Sequence, residues 1–443
     1  MNHLQTFQVY PKIPGPLSFL ETLSRNIWWS WNRDAVDLFR RIEPRLWEMA
    51  EQNPIVFLTY ITQKRLEELS NDKSFLAHQQ RVKASFENQV RTPLDRSGSP
   101  YGEDGKIAYF SMEFGVHESL PLFAGGLGIL SGDHLKAASN KSVPLIGMGL
   151  LYHRGYFHQF FDQDGMQQED YREINFYHLP LERAKNSAGK EVEISIYGPE
   201  GEIYAAVWKV MVGRIPLYLL DTNLTKNPPE IREITARLYA GEPKVRLTQE
   251  FLLGAGGMRA LEALNIYPTV CHMNEGHSAF ASLERIAQTM SRYNVDLDTA
   301  LEIVPRTTVF TTHTPVAAGY DEFPAELVKP FLRPLQERLH ATDTEILSWG
   351  QAAGSGPDGP LSMFVLALQM AQYCNGVSRL HGKVARRMWA GVWPNKPENE
   401  IPISHITNGI HFPTWISYEN AVLFERYLGP DWYISPQRSE IIE

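Results

Sequence analysis

The sequence predicts a layered α/β protein with a helical region in front of it, and three observations carry that expectation. In the first hundred residues Leu17, Leu20, Leu23, Ile27, Trp28 and Trp31 recur at three- and four-residue spacing, the period of a helix with one buried face. Thr92 to Lys106, TPLDRSGSPYGEDGK, is dense in Pro, Gly, Ser and Asp and has no apolar period, which marks a boundary. From Ile107 onward short β-rich runs alternate with helical ones, the texture of a mostly parallel sheet covered by helices.

Taken in order, Asn32 is placed to cap one helix. Asn53-Pro54 offers the start of another, since asparagine accepts from the free N–H groups of a first turn and proline is tolerated there. The tryptophans at 28, 29, 31 and 47 could form a sugar-stacking platform, but aromatics at helical spacing belong more naturally to a core. Glu191 to Asn223 departs from the α/β alternation and reads as successive strands, an antiparallel insertion or sheet extension. Gly354 to Pro360 is a local loop.

Charge and composition exclude several classes. With 42 Lys plus Arg against 51 Asp plus Glu, the net charge of −9 and the lack of any basic run argue against nucleic-acid binding, which needs clustered cations. The 443 residues leave room for two or three domains at roughly 150 residues each. The two cysteines, Cys271 and Cys374, sit in apolar or motif-like surroundings that suit a reducing compartment. No basic segment followed by an apolar run opens the chain, and no stretch reaches the roughly 18 apolar residues of a membrane span. The expectation is a cytoplasmic protein.

In open α/β sheets ligands bind beyond the carboxyl ends of the strands. Four β-rich runs end in polar turns. Thr269 to His272 leads to Asn274, Glu275, Gly276 and His277, and Thr307 to Thr312 leads to His313. Cys374 leads to Val377 and Arg379, and Ile401 to Ile406 leads to Asn408. Amide, imidazole and carboxylate groups gathered at one crevice suit a neutral polyol, and sugar is the natural candidate. Each piece has a plainer reading: Asn-Gly makes turns, such histidines are often merely satisfied, and Glu275 could cap the following helix. A zinc site at His272, Glu275 and His277 lacks the HExxH spacing, so no metal is expected.

The strongest local feature is YFSMEFGVHESLPLFAGGLGILSGDHLKAASN, Tyr109 to Asn140. A strand enters, and a glycine-rich turn opens a helix. Gly125, Gly126 and Gly128 would let backbone N–H groups approach an anion, with the helix start adding its positive dipole end. It is neither a P-loop nor a clean GxGxxG fingerprint. Glu113 could position a cation or water, or pair with Lys or Arg.

These residues resemble the α-glucan phosphorylases, the glycogen and maltodextrin phosphorylase family. VPLIGMGLLYHRGYFHQ, RLTQEFLLGAGG, CHMNEGHSAF, VFTTHTPVAAGYDEFP, CNGVSRLHGKVARRMW and HITNGIHFPTWIS follow in the family's order, and RNIWWSWNRDA looks like the N-terminal extension of its bacterial and archaeal branch. The resemblance implies phosphorolysis of an α-1,4-glucan such as maltodextrin to glucose 1-phosphate, in a GT-B (Rossmann-like) architecture of two domains. It implies a helical extension over residues 1–96, the N-terminal GT-B domain over 97–410, and the start of a crossover over 411–443. Gly125, Gly126, Leu127 and Gly128 match the loop near the substrate phosphate. His313 matches the histidine at the glucosyl site, and Asn408 the asparagine that binds sugar hydroxyls. Val377 and Arg379 belong to a segment facing the same crevice. Glu275 stands where many relatives carry aspartate, beside Asn274 and His277. The Asp-Asn pair that some relatives carry has no clear counterpart around Tyr239 to Pro243.

The family's pyridoxal phosphate is held as a Schiff base by a lysine in the second domain, and no matching segment occurs here. Lys383 and Lys396 lie in other motifs. The expectation is therefore the sugar-binding half of a phosphorylase, inactive alone, with the second GT-B domain missing and a complementary chain or domain as its partner. Alternatives are a sugar-nucleotide glucan synthase, a non-catalytic glucan-binding fragment and an inert remnant.

Overall fold

A computed structural model describes residues 10–93, 102, 104–239, 241–314, 320–352 and 354–429. Most of the expected boundary at 92–106, the stretch 315–319 and everything after 429 fall outside the described residues.

Helices from Phe19–Ser24 to Lys73–Phe86 precede the first strand. Their starts follow the side chains available. Asn32 Oδ1 accepts from Ala35 N at 3.0 Å, and Asn53 Oδ1 accepts from Ile55 N at 3.0 Å with Pro54 in the first turn. Trp28, Trp29 and Trp47 are each 1% exposed, which settles them as core. Trp29 meets Phe39 and Trp47 edge-on, while Phe39 and Trp47 stack at 5.4 Å.

The strands are β1 (Ile107–Phe110), β2 (Leu145–Leu150), β3 (His158–Phe161), β4 (Gln167–Asp170), β5 (Glu182–Arg183), β6 (Glu193–Gly198), β7 (Gly201–Val212) and β8 (Ile215–Asp221). They continue with β9 (Val270–Asn274), β10 (Thr308–Thr312), β11 (Glu322–Phe323), β12 (Leu361–Ser362), β13 (Tyr373–Gly376) and β14 (Ile403–His405). One large sheet runs in the order β14-β13-β10-β9-β1-β2-β8-β7-β5, with β6 also on β7. Strands β14 through β8 pair in parallel, whereas β5 and β6 join β7, and β7 joins β8, antiparallel. The Glu191–Asn223 expectation is thus met as a sheet extension. Pairs β3-β4 and β11-β12 stand apart.

The central strands are buried on both faces, β2 along its whole length, as helices on both sides require. Strands are added outward through β2 and β8 on one side of β1, and through β9, β10, β13 and β14 on the other. The direction of winding therefore reverses between β1 and β9, and a crevice opens there at the carboxyl ends. Both cysteines are buried and free. Among the described residues no helix is long and apolar enough to cross a membrane.

Candidate functional site

Glu113 lies just beyond β1 and is 3% exposed. Its Oε2 accepts from Ala124 N at 2.7 Å and Gly125 N at 3.1 Å, and its Oε1 accepts from the Tyr239 hydroxyl. The carboxylate thus binds the glycine loop itself, and among the described residues no Lys or Arg pairs with it as the sequence allowed. The helix Gly126–Asn140 then starts with no side-chain cap, and its first backbone acceptor, Gly125 O, serves Ile129 N at 3.2 Å. By helix geometry the N–H groups of Gly126, Leu127 and Gly128 have no intrahelical acceptor. They form an anion-binding end.

The glycines divide in purpose. A Cβ on Gly125 or Gly126 would meet nothing within 4 Å, so the approach to their backbone is open. On Gly128 it would lie 2.4 Å from Phe123 Cβ and 2.8 Å from Glu113 Oε2. Gly128 therefore has an internal packing reason to be glycine, apart from what its N–H group meets.

Across the crevice Glu275 follows β9 with φ 73°, a conformation that costs a non-glycine residue on the order of 1–3 kcal/mol. Its side chain does not cap the next turn. It accepts instead from His313 N at 2.7 Å and Thr314 N at 3.3 Å, joining the ends of β9 and β10. Burial pushes its carboxyl up to about 7 against the lowering effect of those hydrogen bonds. His313 Nε2 lies 2.6 Å from Asn274 Oδ1, while Asn274 Nδ2 donates to Ser131 Oγ at 3.1 Å and Ser111 Oγ at 3.3 Å. The amide orientation assigns Nε2–H as donor. Burial, aided by His381, lowers His313 to about 4, so its ring is neutral at pH 7 with Nδ1 as an acceptor.

A cavity of about 580 Å³ brings Leu127, Glu275, His277 and His313 together with Tyr239, Arg246, Tyr320 and Asp321. Arg246 pairs with Glu250 at 2.9 Å and with Asp321 at 3.0 Å, and its guanidinium lies 5.0 Å from the centre of the Tyr239 ring. His277 is lowered to about 3 by burial and by Arg246, leaving a neutral ring whose Nδ1 has no partner among the described residues. Glu250, His277 and Asp321 are spaced closely enough for a metal ion, but Arg246 already supplies the cluster's positive charge. The zinc set His272, Glu275 and His277 does not form: His272 points to Thr311 Oγ1 at 2.8 Å.

Val377, Arg379 and Asn408 occupy the same strand edge but lie outside this cavity's lining. Asn408 N donates to Val377 O at 3.0 Å, which ties the two turns together. The Arg379 and Asn408 side chains are exposed and make no hydrogen bond among the described residues.

Residues 239–440 match the carbohydrate phosphorylase family model, and residues 13–120 match a family described as a protein of unknown function. Maltodextrin phosphorylase of Thermococcus litoralis is 40% identical over 96% of this chain and 50% of its own length. Glycogen phosphorylase of Mycobacterium tuberculosis is 39% identical over 97% of the chain and 52% of its length, and that of Aquifex aeolicus 35% over 93% and 58%. The chain belongs to the α-glucan phosphorylase family. It spans about half the length of the curated relatives it matches.

Within this chain, Tyr239, Arg246 and Asp321 are cavity residues that sequence reasoning missed. Arg246 and Glu250 stand four apart inside RLTQE, a helical ion-pair spacing that could have been noticed. Tyr239 acts through a positive-φ turn that no pattern announces. The cofactor expectation can be set against the same geometry. Among the described residues the cavity lining includes no lysine, and the one buried lysine, Lys136, is bound to Thr414 instead. These residues do not fit Schiff-base attachment of pyridoxal phosphate.

Proposed function

We propose that this chain is the sugar-binding half of an α-1,4-glucan phosphorylase, acting on maltodextrin and phosphate together with a second domain that holds pyridoxal phosphate. One observation carries this reading. An uncapped helix start lies beside a crevice whose imidazoles are neutral and whose carboxylates already bind protein groups. Such a site offers N–H donors to an anion and uncharged hydrogen-bonding groups to hydroxyls. Gly125, Gly126 and Leu127 would face the phosphate or sugar phosphate. His313 Nδ1 and its backbone carbonyl would receive glucosyl hydroxyls, with Asn274 and Glu275 fixing the ring and its loop. Asn408, Val377 and Arg379 would complete the sugar contact from the neighbouring strand ends.

A site between two domains surrounds its reacting atoms only when both are present, and one wall supplies only part of the electrostatic stabilisation. The 443-residue chain should therefore bind maltoheptaose in calorimetry and release no glucose 1-phosphate from maltodextrin. Adding the C-terminal half of a relative should restore phosphorolysis. Robust turnover by the chain alone, or glucan extension from a nucleotide sugar by the completed enzyme, would refute the proposal.

A further inference from the structure

The N-terminal helices, most of the region matched to a family of unknown function, contribute no residue to the cavity lining. Among their contacts with the rest of the chain, two places flank the glycine-loop helix. Asn26 Nδ2 donates to Gly213 O at 3.0 Å and its Oδ1 accepts from Gly213 N at 2.9 Å, in the turn between β7 and β8. The next residue, Arg214, donates its N–H to Ser139 Oγ of the glycine-loop helix at 3.0 Å. At the second place Trp31 sets its ring edge-on to His411, centroids 5.5 Å apart, and lies under Lys136 Nζ at 5.8 Å. Arg33 pairs with Glu425 and lies over the Tyr418 ring at 5.6 Å.

Between these grips the glycine-loop helix presents Asp133, Lys136 and Asn140, spaced three and four apart and so on one face. All three hold the segment that follows Asn408. Asp133 Oδ2 accepts from His411 N at 3.0 Å and Trp415 Nε1 at 2.8 Å. Lys136 Nζ donates to Thr414 Oγ1 at 3.1 Å, and Asn140 Nδ2 meets His411 Nε2 at 2.9 Å. Asp133 and Lys136 are each 3% exposed. Burying two ions in this way is a poor device for raw stability, since apolar replacements are often as stable; what a buried polar cluster does well is specify one register.

We propose that the N-terminal helical segment is a brace that holds the Thr407–Gly409 turn in register with the glycine loop, with Lys136 and Asp133 as positioning residues at the point of contact. The brace stands on the contacts above. Its service to sugar binding rests on the reading of Asn408 as a sugar contact. His411, gripped from both sides, is only three residues beyond Asn408, so slack at His411 is transmitted directly to that side chain.

Peptide-resolved hydrogen exchange on the 443-residue chain tests this, comparing Arg33→Ala, Lys136→Met and a control, Arg45→Ala. Arg33 is a surface ion pair and Lys136→Met keeps the buried stem, so both variants should fold. We expect exchange across residues 405–428 to rise about tenfold in both test variants, with β1, β9 and β10 unchanged and the control silent. Unchanged exchange at 405–428, or an equal rise throughout the sheet, would overturn the brace. Maltoheptaose affinity, measured on the same samples, should fall several-fold in the two variants. Equal affinity despite loosened exchange would overturn the link to sugar binding. Failure of the wild-type chain to bind maltoheptaose would overturn that link and the proposed function while the exchange result still decides the brace.

Discussion

A single carboxylate, Glu113, satisfies two backbone N–H groups and the Tyr239 hydroxyl. Glu113→Ala should cost about 2–3 kcal/mol in urea unfolding, because three part-buried donors lose a charged acceptor. The loop glycines should respond unequally. Gly128→Ala meets Phe123 and Glu113 and should cost about 1–3 kcal/mol, whereas Gly126→Ala, with open space around it, should stay within about 1 kcal/mol of wild type. Gly126→Val should weaken phosphate or sugar-phosphate use in a reconstituted enzyme more than it lowers the melting temperature. Lys136 carries a different signature. Burial lowers its ammonium from 10.5 to about 8, against the raising effect of Asp133. The folded chain then holds fewer protons than the unfolded chain between those pH values, so its stability rises with pH across that window. Relative to Lys136→Met, wild type should gain on the order of 3 kcal/mol between pH 8 and pH 10.5 in denaturant titrations. A flat difference would refute the burial of a charged lysine.

At the scale of elements, strand ends do the work that isolated side chains cannot. The turn after β9 holds Glu275 at positive φ so that its carboxylate reaches the N–H groups beyond β10. Glu275→Gly would relieve the backbone strain yet release His313, and should lower maltoheptaose affinity while changing stability little. The carboxyl is raised from 4.5 to about 7, so the folded state holds more protons in that range and loses stability as pH rises through it. Compared with Glu275→Gln, wild type should weaken by on the order of 3 kcal/mol from pH 4.5 to pH 7. A difference that ran the other way would show that the hydrogen bonds from His313 and Thr314, rather than burial, dominate the carboxyl.

Across the whole molecule, the α/β texture, the helix starts at Asn32 and Asn53, and the strand ends bearing Glu275 and His313 were legible in the sequence. Each depends on neighbours in the chain or on the residue type itself. So was the resemblance to phosphorylases, because its motifs are contiguous. What tertiary structure decided were the partners. Glu113 was legible as a polar residue after a strand, but only folding brings Ala124, Gly125 and Tyr239 to it. Arg246 and Asp321, seventy-five positions apart, meet only because their segments converge beside the crevice. The buried Lys136, an ordinary helical lysine by pattern, is set between Trp31 and Thr414 by segments from opposite ends of the chain. Spacing records contacts within a helix or strand, whereas contacts between remote segments arise only when the sheet fixes their relative positions.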